Sequence, residues 1–570
     1  MLLQKLVEYT DRMERTPPLY AERPIRYVVE LDGEGNLLGL TDTADPSDRR
    51  SRNGVPRLAP QVQRSAAVKP LLLSDRADYT FGRPRGADME EQALKRHQAY
   101  MGGLERCVAT TGEPAVAAVQ RFLRSSPIDA IQLDGDFDES GALTFRVDGA
   151  FVIDLPSVQE FWANEHSLGS DGGNRAQCLV CGREGPVLGR LTSNIKGIPG
   201  GHRSGTALIS ANEEAFKSYG LEASRVAPTC ESCAEKFTKA LNTLLATEAN
   251  NYRFRGAVFI FWTREESGFS FRSFLDRPDA EEVRALMASV RTGKTVEQLD
   301  ETDFYAASLT GSGGRAVVRD WVDTTVGGVK SNLARWFEMQ RVTGWDGSDP
   351  HPLGIYQLAG STVLDMKDLP PPTVRAMLRT ALTGAPLPLS LLAQAIRRNQ
   401  AEQRVTHPRA ALIKLALMGQ NHNYCYKEDD MVSLSEEHPS AAYHCGRLLA
   451  ELEAAQRRAL PGVKTMITDR FYGTASTAPV SVFPRLVRGA QPHLAKLERD
   501  NPGVQRALQR RIEDICSRIL VFPRTLTMEQ QGLFCLGYYH QRAYDRASAI
   551  EAQARREGNE AQGHSESAQA

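Results

Sequence analysis

Apolar positions recur on one helical face at Leu2, Leu3, Leu6 and Val7, after which the period shortens to strand alternation over residues 25–31 and 37–40. Asp32-Gly33-Glu34-Gly35-Asn36 between those runs is turn chemistry, so a hairpin is expected. Residues 88–126 follow a helical period broken at Gly112-Glu113-Pro114. Strand-like 143–153, a helix over 231–247 and the apolar strand 257–262 come next. Two further strands, 304–309 and 315–322, flank Thr310-Gly311-Ser312-Gly313-Gly314, and alternation places Arg315 and Arg319 on one side of the second. Over 344–372 Gly, Asp, His and Pro replace the strand signal. Helical periods then fill 373–383, 387–398, 407–418, 438–460, 487–499, 505–520 and 527–557. The pattern predicts an α+β N-terminal region followed by an all-α C-terminal helical bundle. Domains are expected over 1–150, 151–350 and 373–557, with 558–570 a disordered tail too polar and small to pack.

Inside the middle domain two Cys-x-x-Cys pairs, Cys178/Cys181 and Cys230/Cys233, can complete a closed tetrahedral shell of four thiolates. Such a shell has no open position for water. A structural Zn2+ is therefore expected, stapling the subdomain rather than performing chemistry. The pairs stand farther apart than in a compact ribbon, so the intervening segment is an insertion. It carries Asn194-Ile195-Lys196-Gly197-Ile198-Pro199-Gly200-Gly201-His202-Arg203-Ser204-Gly205, in which glycines allow close approach to a ligand while Asn194, Lys196, His202 and Arg203 offer donors suited to phosphate. A solvated loop has the same composition. Residues 43–70 pose the same choice: Arg49, Arg50, Arg52, Arg57, Arg64 and Lys69 hold cations suited to phosphates, and interleaved Asn53 suits base edges. In the bundle, Arg457, Arg458, Arg510 and Arg511 suit a nucleic-acid backbone or a solvated surface equally.

The 570 residues exceed one core, and 41% hydrophobic with 24% charged residues is ordinary for a soluble globular chain. A net charge of −1 does not advertise nucleic-acid binding, so only local clustering can support it. Nine cysteines, five of them scattered at 107, 425, 445, 516 and 535, suit a reducing cytoplasm. No apolar run reaches the roughly 20 residues a bilayer requires, so no membrane partner is expected. Ala288-Ser289-Val290-Arg291-Thr292-Gly293-Lys294-Thr295 imitates a nucleotide loop but follows a helix where the motif needs a strand.

The ordered series Cys178-Leu179-Val180-Cys181-Gly182, Asn194-Ile195-Lys196-Gly197, Ala211 through Gly220, Ala227-Pro228 and Ala240 through Leu245 resembles the large subunit of the type I-C CRISPR surveillance complex, Cascade. The opening Met1 to Leu6, Val68-Lys69-Pro70, and Phe304 to Leu309 through Arg315 and Arg319 are similar to the same family. The resemblance implies a prokaryotic cytoplasmic protein that reads the protospacer-adjacent motif in target double-stranded DNA. It also implies contacts to the 5′ end of the CRISPR guide RNA and to the backbone and small subunits, and transient recruitment of a helicase-nuclease. Its C-terminal bundle would resemble the small subunit and stabilise the R-loop, with Met418 or Met431 as candidate internal starts. No nuclease cluster, acidic trio or nucleophile elbow is found in the sequence, so a non-catalytic binding subunit is expected. The alternatives are a zinc-stapled nuclease with a dispersed site, or an RNA-binding scaffold.

Overall fold

A computed structural model of the chain describes residues 1–13, 17–45, 47–48, 51–62, 68–84, 89–125, 137–167, 175–191, 195–292, 300–419 and 431–567. Arg49, Arg50, Arg64, Asn194 and Cys425 lie outside them, as do 293–299, which include Gly293-Lys294-Thr295 of the imitation nucleotide loop. The fold is mixed α/β, and its contacts divide it into two units: Met1–Ala246 with Gly311–Val317, and Thr247–Thr310 with Val318–Ala570.

The first unit opens with helix α1 (Leu2–Tyr9). Strand β1 (Tyr20–Ile25) pairs antiparallel with β4 (Val55–Pro60) in a two-stranded ribbon. The other sheet has order β3-β2-β6-β5, built from β2 (Tyr27–Leu31), β3 (Leu37–Asp42), β5 (Ser74–Arg76) and β6 (Ala142–Val147), with β7 (Ala150–Phe151) on β6. The expected hairpin is the β2–β3 pair. After the short α2 (Ala77–Thr80), helices α3 (Glu90–Thr111) and α4 (Pro114–Arg124) join at Gly112, whose φ of 63° gives the left-handed cap that glycine adopts without penalty. With α5 (Pro156–Ser167) they bury Leu104, Phe122 and Trp162 in one core with Val29 and Phe145 of the sheet. Small strands β8 (Arg175–Gln177) and β9 (Glu184–Pro186), then α6 (Glu231–Ala246), complete this unit.

The second unit contains an antiparallel sheet of β10 (Asn251–Phe254), β11 (Ala257–Thr263), β12 (Asp303–Ser312) and β13 (Arg315–Thr325). Helix α7 (Ala280–Thr292) comes between β11 and β12. Beyond β13 follow α8 (Val326–Met339), α9 (Ile355–Gly360), α10 (Pro371–Thr383), α11 (Leu389–Glu402) and α12 (His407–Gly419). The C-terminal helices are α13 (Ala441–Ala459), α14 (Ile467–Ala475), α15 (Phe483–Asp500), α16 (Pro502–Ser517) and α17 (Met528–Ser567).

The division departs from the expected boundaries at 150 and in 351–372. One continuous core runs from Tyr252 and Phe259 of the sheet through Trp336 and Leu378 to Tyr538, so β10–β13 belong with the helices rather than with the cysteine pairs. Expected tail residues 558–567 continue the α17 backbone, against the disorder expected of them.

Helices α13 and α17 cross at a reciprocal glycine contact. A Cβ on Gly446 would lie 2.0 Å from the Phe534 carbonyl oxygen, and one on Gly537 2.0 Å from that of Tyr443. Backbone cannot retreat as a flexible side chain can. Gly537→Ala is therefore expected to cost about 1–3 kcal/mol, read as a lowered urea midpoint of the helical transition, whereas Gly473→Ala, where a Cβ meets nothing within 4 Å, should not lower it.

Candidate functional site

The four cysteines come together. Turn Cys178–Cys181 closes the β8–β9 pair, while Cys230 precedes α6 and Cys233 occupies its first turn. All four Sγ atoms lie within 4.8 Å of one another, with Cys181 and Cys230 at 3.9 Å. That separation is too long for a disulfide. It is close to the roughly 3.8 Å edge of a tetrahedron with Zn–S of about 2.3 Å. Backbone bonds set the shape: Gly182 N–H donates to Cys178 O at 2.8 Å, Cys178 N–H to Arg183 O at 2.9 Å, and Leu179 N–H to Pro228 O at 2.9 Å, which lashes one knuckle to the other. Leu3 and Val7 of α1 pack against Cys178, Val180 and Cys233, so the N-terminal helix roofs the cluster.

The electrostatics fit a cation. Burial works against a thiolate at Cys178, but backbone N–H groups of Cys181, Cys230 and Val180 outweigh it and bring the thiol to about 7. Burial and neighbouring thiolates push Cys233 up, and burial also raises Cys230. Four ionised sulfurs this close repel one another unless a metal balances them. The donor set is that of a closed structural zinc site, with all four positions filled by sulfur.

The insertion between the cysteine pairs is built around backbone pairing. Ile195 and Thr206 exchange both backbone hydrogen bonds at 2.8 Å, and Gly201 N–H donates to Ile198 O at 3.1 Å across a tight turn in which Gly200 has φ of 79°. Residues Gly311–Val317 lie alongside. Gly311 N–H donates to Pro199 O (2.7 Å), His202 N–H to Gly313 O (3.1 Å), Ala207 N–H to Gly314 O (2.8 Å) and Ala316 N–H to Ala207 O (2.9 Å). A Cβ on Gly311 would fall 2.2 Å from Gly201 N, so these glycines serve the meeting of two backbones. Asn242 of α6 accepts from Lys196 N–H at 2.8 Å, tying the loop to the helix that holds Cys233. The side chains of Lys196, His202 and Arg203 are exposed and have no ion-pair partner among the described residues.

The other expected contacts separate into available and engaged groups. Arg52 and Asn53 are exposed in a turn closed by Gly54 N–H to Ser51 O at 2.9 Å. Arg57 is engaged: it pairs with Asp154 at 2.6 Å and lies 3.5 Å over the Phe151 ring. Lys69 is half-buried and has partners within the fold. Arg315 lies 3.6 Å over the Phe216 ring, and Arg319 donates to Thr310 Oγ1 at 3.1 Å. In the helical unit Arg457 pairs with Glu453 at 2.7 Å and Arg511 forks onto Glu451 at 2.7 and 3.1 Å. Arg458 and Arg510 are exposed.

A profile of the family described as CRISPR-associated protein (Cas_Csd1) matches residues 6–544. The chain belongs to that family. No curated protein matches it. The Cas_Csd1 match takes in both cysteine pairs, the glycine-rich loop and the helical region. Membership implies work in a CRISPR complex that contains RNA and DNA. No helix among the described residues is long and apolar enough to cross a membrane.

Three site features of this Cas_Csd1 chain had no sequence reading. Leu3 and Val7 covering the cysteines lie more than 170 positions from them, and only their shared helical face hinted at a buried partner. Asn242 gave no signal in an apolar helical run. Phe216 beneath Arg315 was invisible because a cation–π contact has no sequence spacing.

Proposed function

We propose that the chain is the non-catalytic large subunit of a type I-C Cascade, which recognises the protospacer-adjacent motif in duplex DNA and contacts the 5′ end of the guide RNA. The helical unit would then stabilise the R-loop, through Arg458 and Arg510, for a recruited helicase-nuclease. The observation that carries this reading is the trio Lys196, His202 and Arg203. Three side chains of cationic or donor character stand in water on a loop whose backbone is fastened to a hairpin tip and to the helix that holds Cys233. Surface cations of this chain are of both kinds, Lys95 and Arg124 paired with a carboxylate and Arg458 and Arg510 simply exposed, so what marks the trio is its clustering on one fastened loop. Unpaired cations on an anchored backbone suit phosphate, which gains from a fixed loop.

The metal's part is structural: bound zinc would be held by Cys178, Cys181, Cys230 and Cys233 and would fix the frame from which the loop projects. Guide pairing carries the long sequence readout, so the protein needs shape and phosphate contacts, a division of labour known for RNA-guided recognition. The test is duplex binding by the guide-loaded complex with and without this chain, on targets differing only in the flanking base pairs. Tight binding is expected only with both the chain and the correct flank. Binding indifferent to the flank would remove the motif-reading role. Divalent-ion-dependent cleavage by the purified chain would replace it with a nuclease.

A further inference from the structure

Between the glycine-rich loop and the second cysteine pair the chain doubles back. Ala211 and Ala223 exchange both backbone hydrogen bonds, at 2.9 and 3.0 Å, and Leu221 N–H donates to Ser218 O at 2.9 Å. A two-residue turn, Tyr219-Gly220, closes this excursion with φ of 51° and 72°. Paired positive φ angles define the mirror-image turn that Asn-Gly fits best. Glycine suits the second place, but a tyrosine in the first is in a region that bulky side chains avoid. Lys217, bridged to Glu214 at 2.5 Å and to Glu222 at 2.8 Å, braces the base of the turn.

The tyrosine ring gains nothing from the fold in return. Tyr219 is 99% exposed, the most exposed of the large hydrophobic side chains among the described residues. Strain without packing is what a residue kept for a ligand shows. Its surroundings define that ligand. Phe216, three positions earlier, is 43% exposed and carries the Arg315 guanidinium on its face at 3.6 Å. Arg315 in turn pairs through its backbone with Ala207, on the strand side of the loop that bears Arg203 and His202. Aromatic faces interleaved with guanidinium and free cations form a platform for bases and their phosphates. A protein partner would need an apolar pocket for one isolated ring; Lys217 engages the nearest carboxylates, Glu214 and Glu222, and the Arg315 guanidinium on Phe216 suits a polyanion.

We propose that Tyr219 is a stacking residue that receives the face of an unpaired nucleobase when the complex engages nucleic acid, with Arg315 on Phe216 and Arg203 of the glycine-rich loop available for the phosphates. This rests on the nucleic-acid reading above and deepens it. Stacking asks for a ring rather than a hydroxyl, and it tolerates any base.

The test uses the guide-loaded complex and single 2-aminopurine reporters, placed in one arm in the target strand beside the flank and in the other near the guide RNA 5′ end. In one arm the parent and Tyr219→Phe should quench the reporter alike, and the quenched arm identifies the strand. Tyr219→Ala should lose that quenching and weaken binding about fivefold or more. Tyr219→Asn, which suits the turn better, separates stacking from folding: it should bind as weakly as the alanine variant although its turn is relaxed. Unchanged quenching and affinity in Tyr219→Ala would overturn the proposal. So would a Tyr219→Phe variant as weak as alanine, since that would assign the hydroxyl. Flank-dependent binding that ignores Tyr219 would sink the stacking role alone, whereas a parent complex indifferent to the flank would sink the reading beneath it.

Discussion

Zinc removal, by chelation under mild denaturant or by Cys233→Ser, is expected to unfold residues 175–246 together with α1 and to leave the helical unit folded. The effect should be large, because apparent zinc-binding free energies in small stapled modules reach about 10–16 kcal/mol. Locally nothing replaces the metal. The Cys178, Val180, Cys233, Leu3 and Val7 cluster is small, and without a cation its sulfurs must take up protons or repel. Hydrogen exchange read by peptide should show protection lost in the loop, α6 and α1 while α13 and α17 keep theirs. One zinc per chain should be measured in the parent and none in the variant. Unchanged protection in metal-free protein would remove the staple from the account.

Arg511→Ala is expected to destabilise the helical unit by about 3–5 kcal/mol, the usual cost of stranding one partner of a buried ion pair. Glu451 is fully buried and takes two hydrogen bonds from Arg511 and one from Gln541, which reaches Asp545 as well. Burial pushes the Glu451 carboxyl up to about 7, with Asp545 adding repulsion, and burial raises Asp545 too. A carboxyl whose folded value is raised binds protons more readily in the folded state. Its stabilising contribution is thus full below the ordinary carboxylate range and is lost as pH rises through about 7. The parent's helical transition should weaken between pH 5 and pH 8. The Arg511→Ala penalty should be greater at pH 8 than at pH 5, where protons can neutralise the stranded pair. Urea unfolding followed by far-ultraviolet circular dichroism at both values checks this, and a penalty independent of pH would contradict it.

The elements were largely legible because helix and strand periods are local. The β2–β3 hairpin, the break at Gly112, α6 and the helices beyond Pro371 lie where their apolar spacing puts them. Which faces meet was not legible. Strands β11 and β12 are apolar on both sides, and nothing local says that they share a core with α8 and α10 instead of with the cysteine pairs. Val55–Pro60 was hidden because its two prolines read as loop, although an edge ribbon accepts them. The cysteine spacing announced that the four sulfurs would cluster. Arginines announced nothing comparable: Arg511 finds Glu451 sixty positions away and Arg57 finds Asp154 ninety-seven away, while Arg203 finds no partner among the described residues. Loop glycines signalled a close approach without revealing that another backbone, at Gly311, makes it.

The central claim is that the glycine-rich loop between the cysteine pairs touches target DNA. Its most direct measurement compares guide-loaded complexes carrying the parent chain or Lys196→Ala/Arg203→Ala, each with one zinc per chain, titrated with correctly flanked duplex over a range of salt. Each lost charge-assisted bond should cost about 1 kcal/mol or more, so the double variant should bind about 30-fold more weakly. Its dependence of log affinity on log salt should be shallower by about two phosphate contacts. Equal affinity and equal salt slope in the two complexes would contradict the claim.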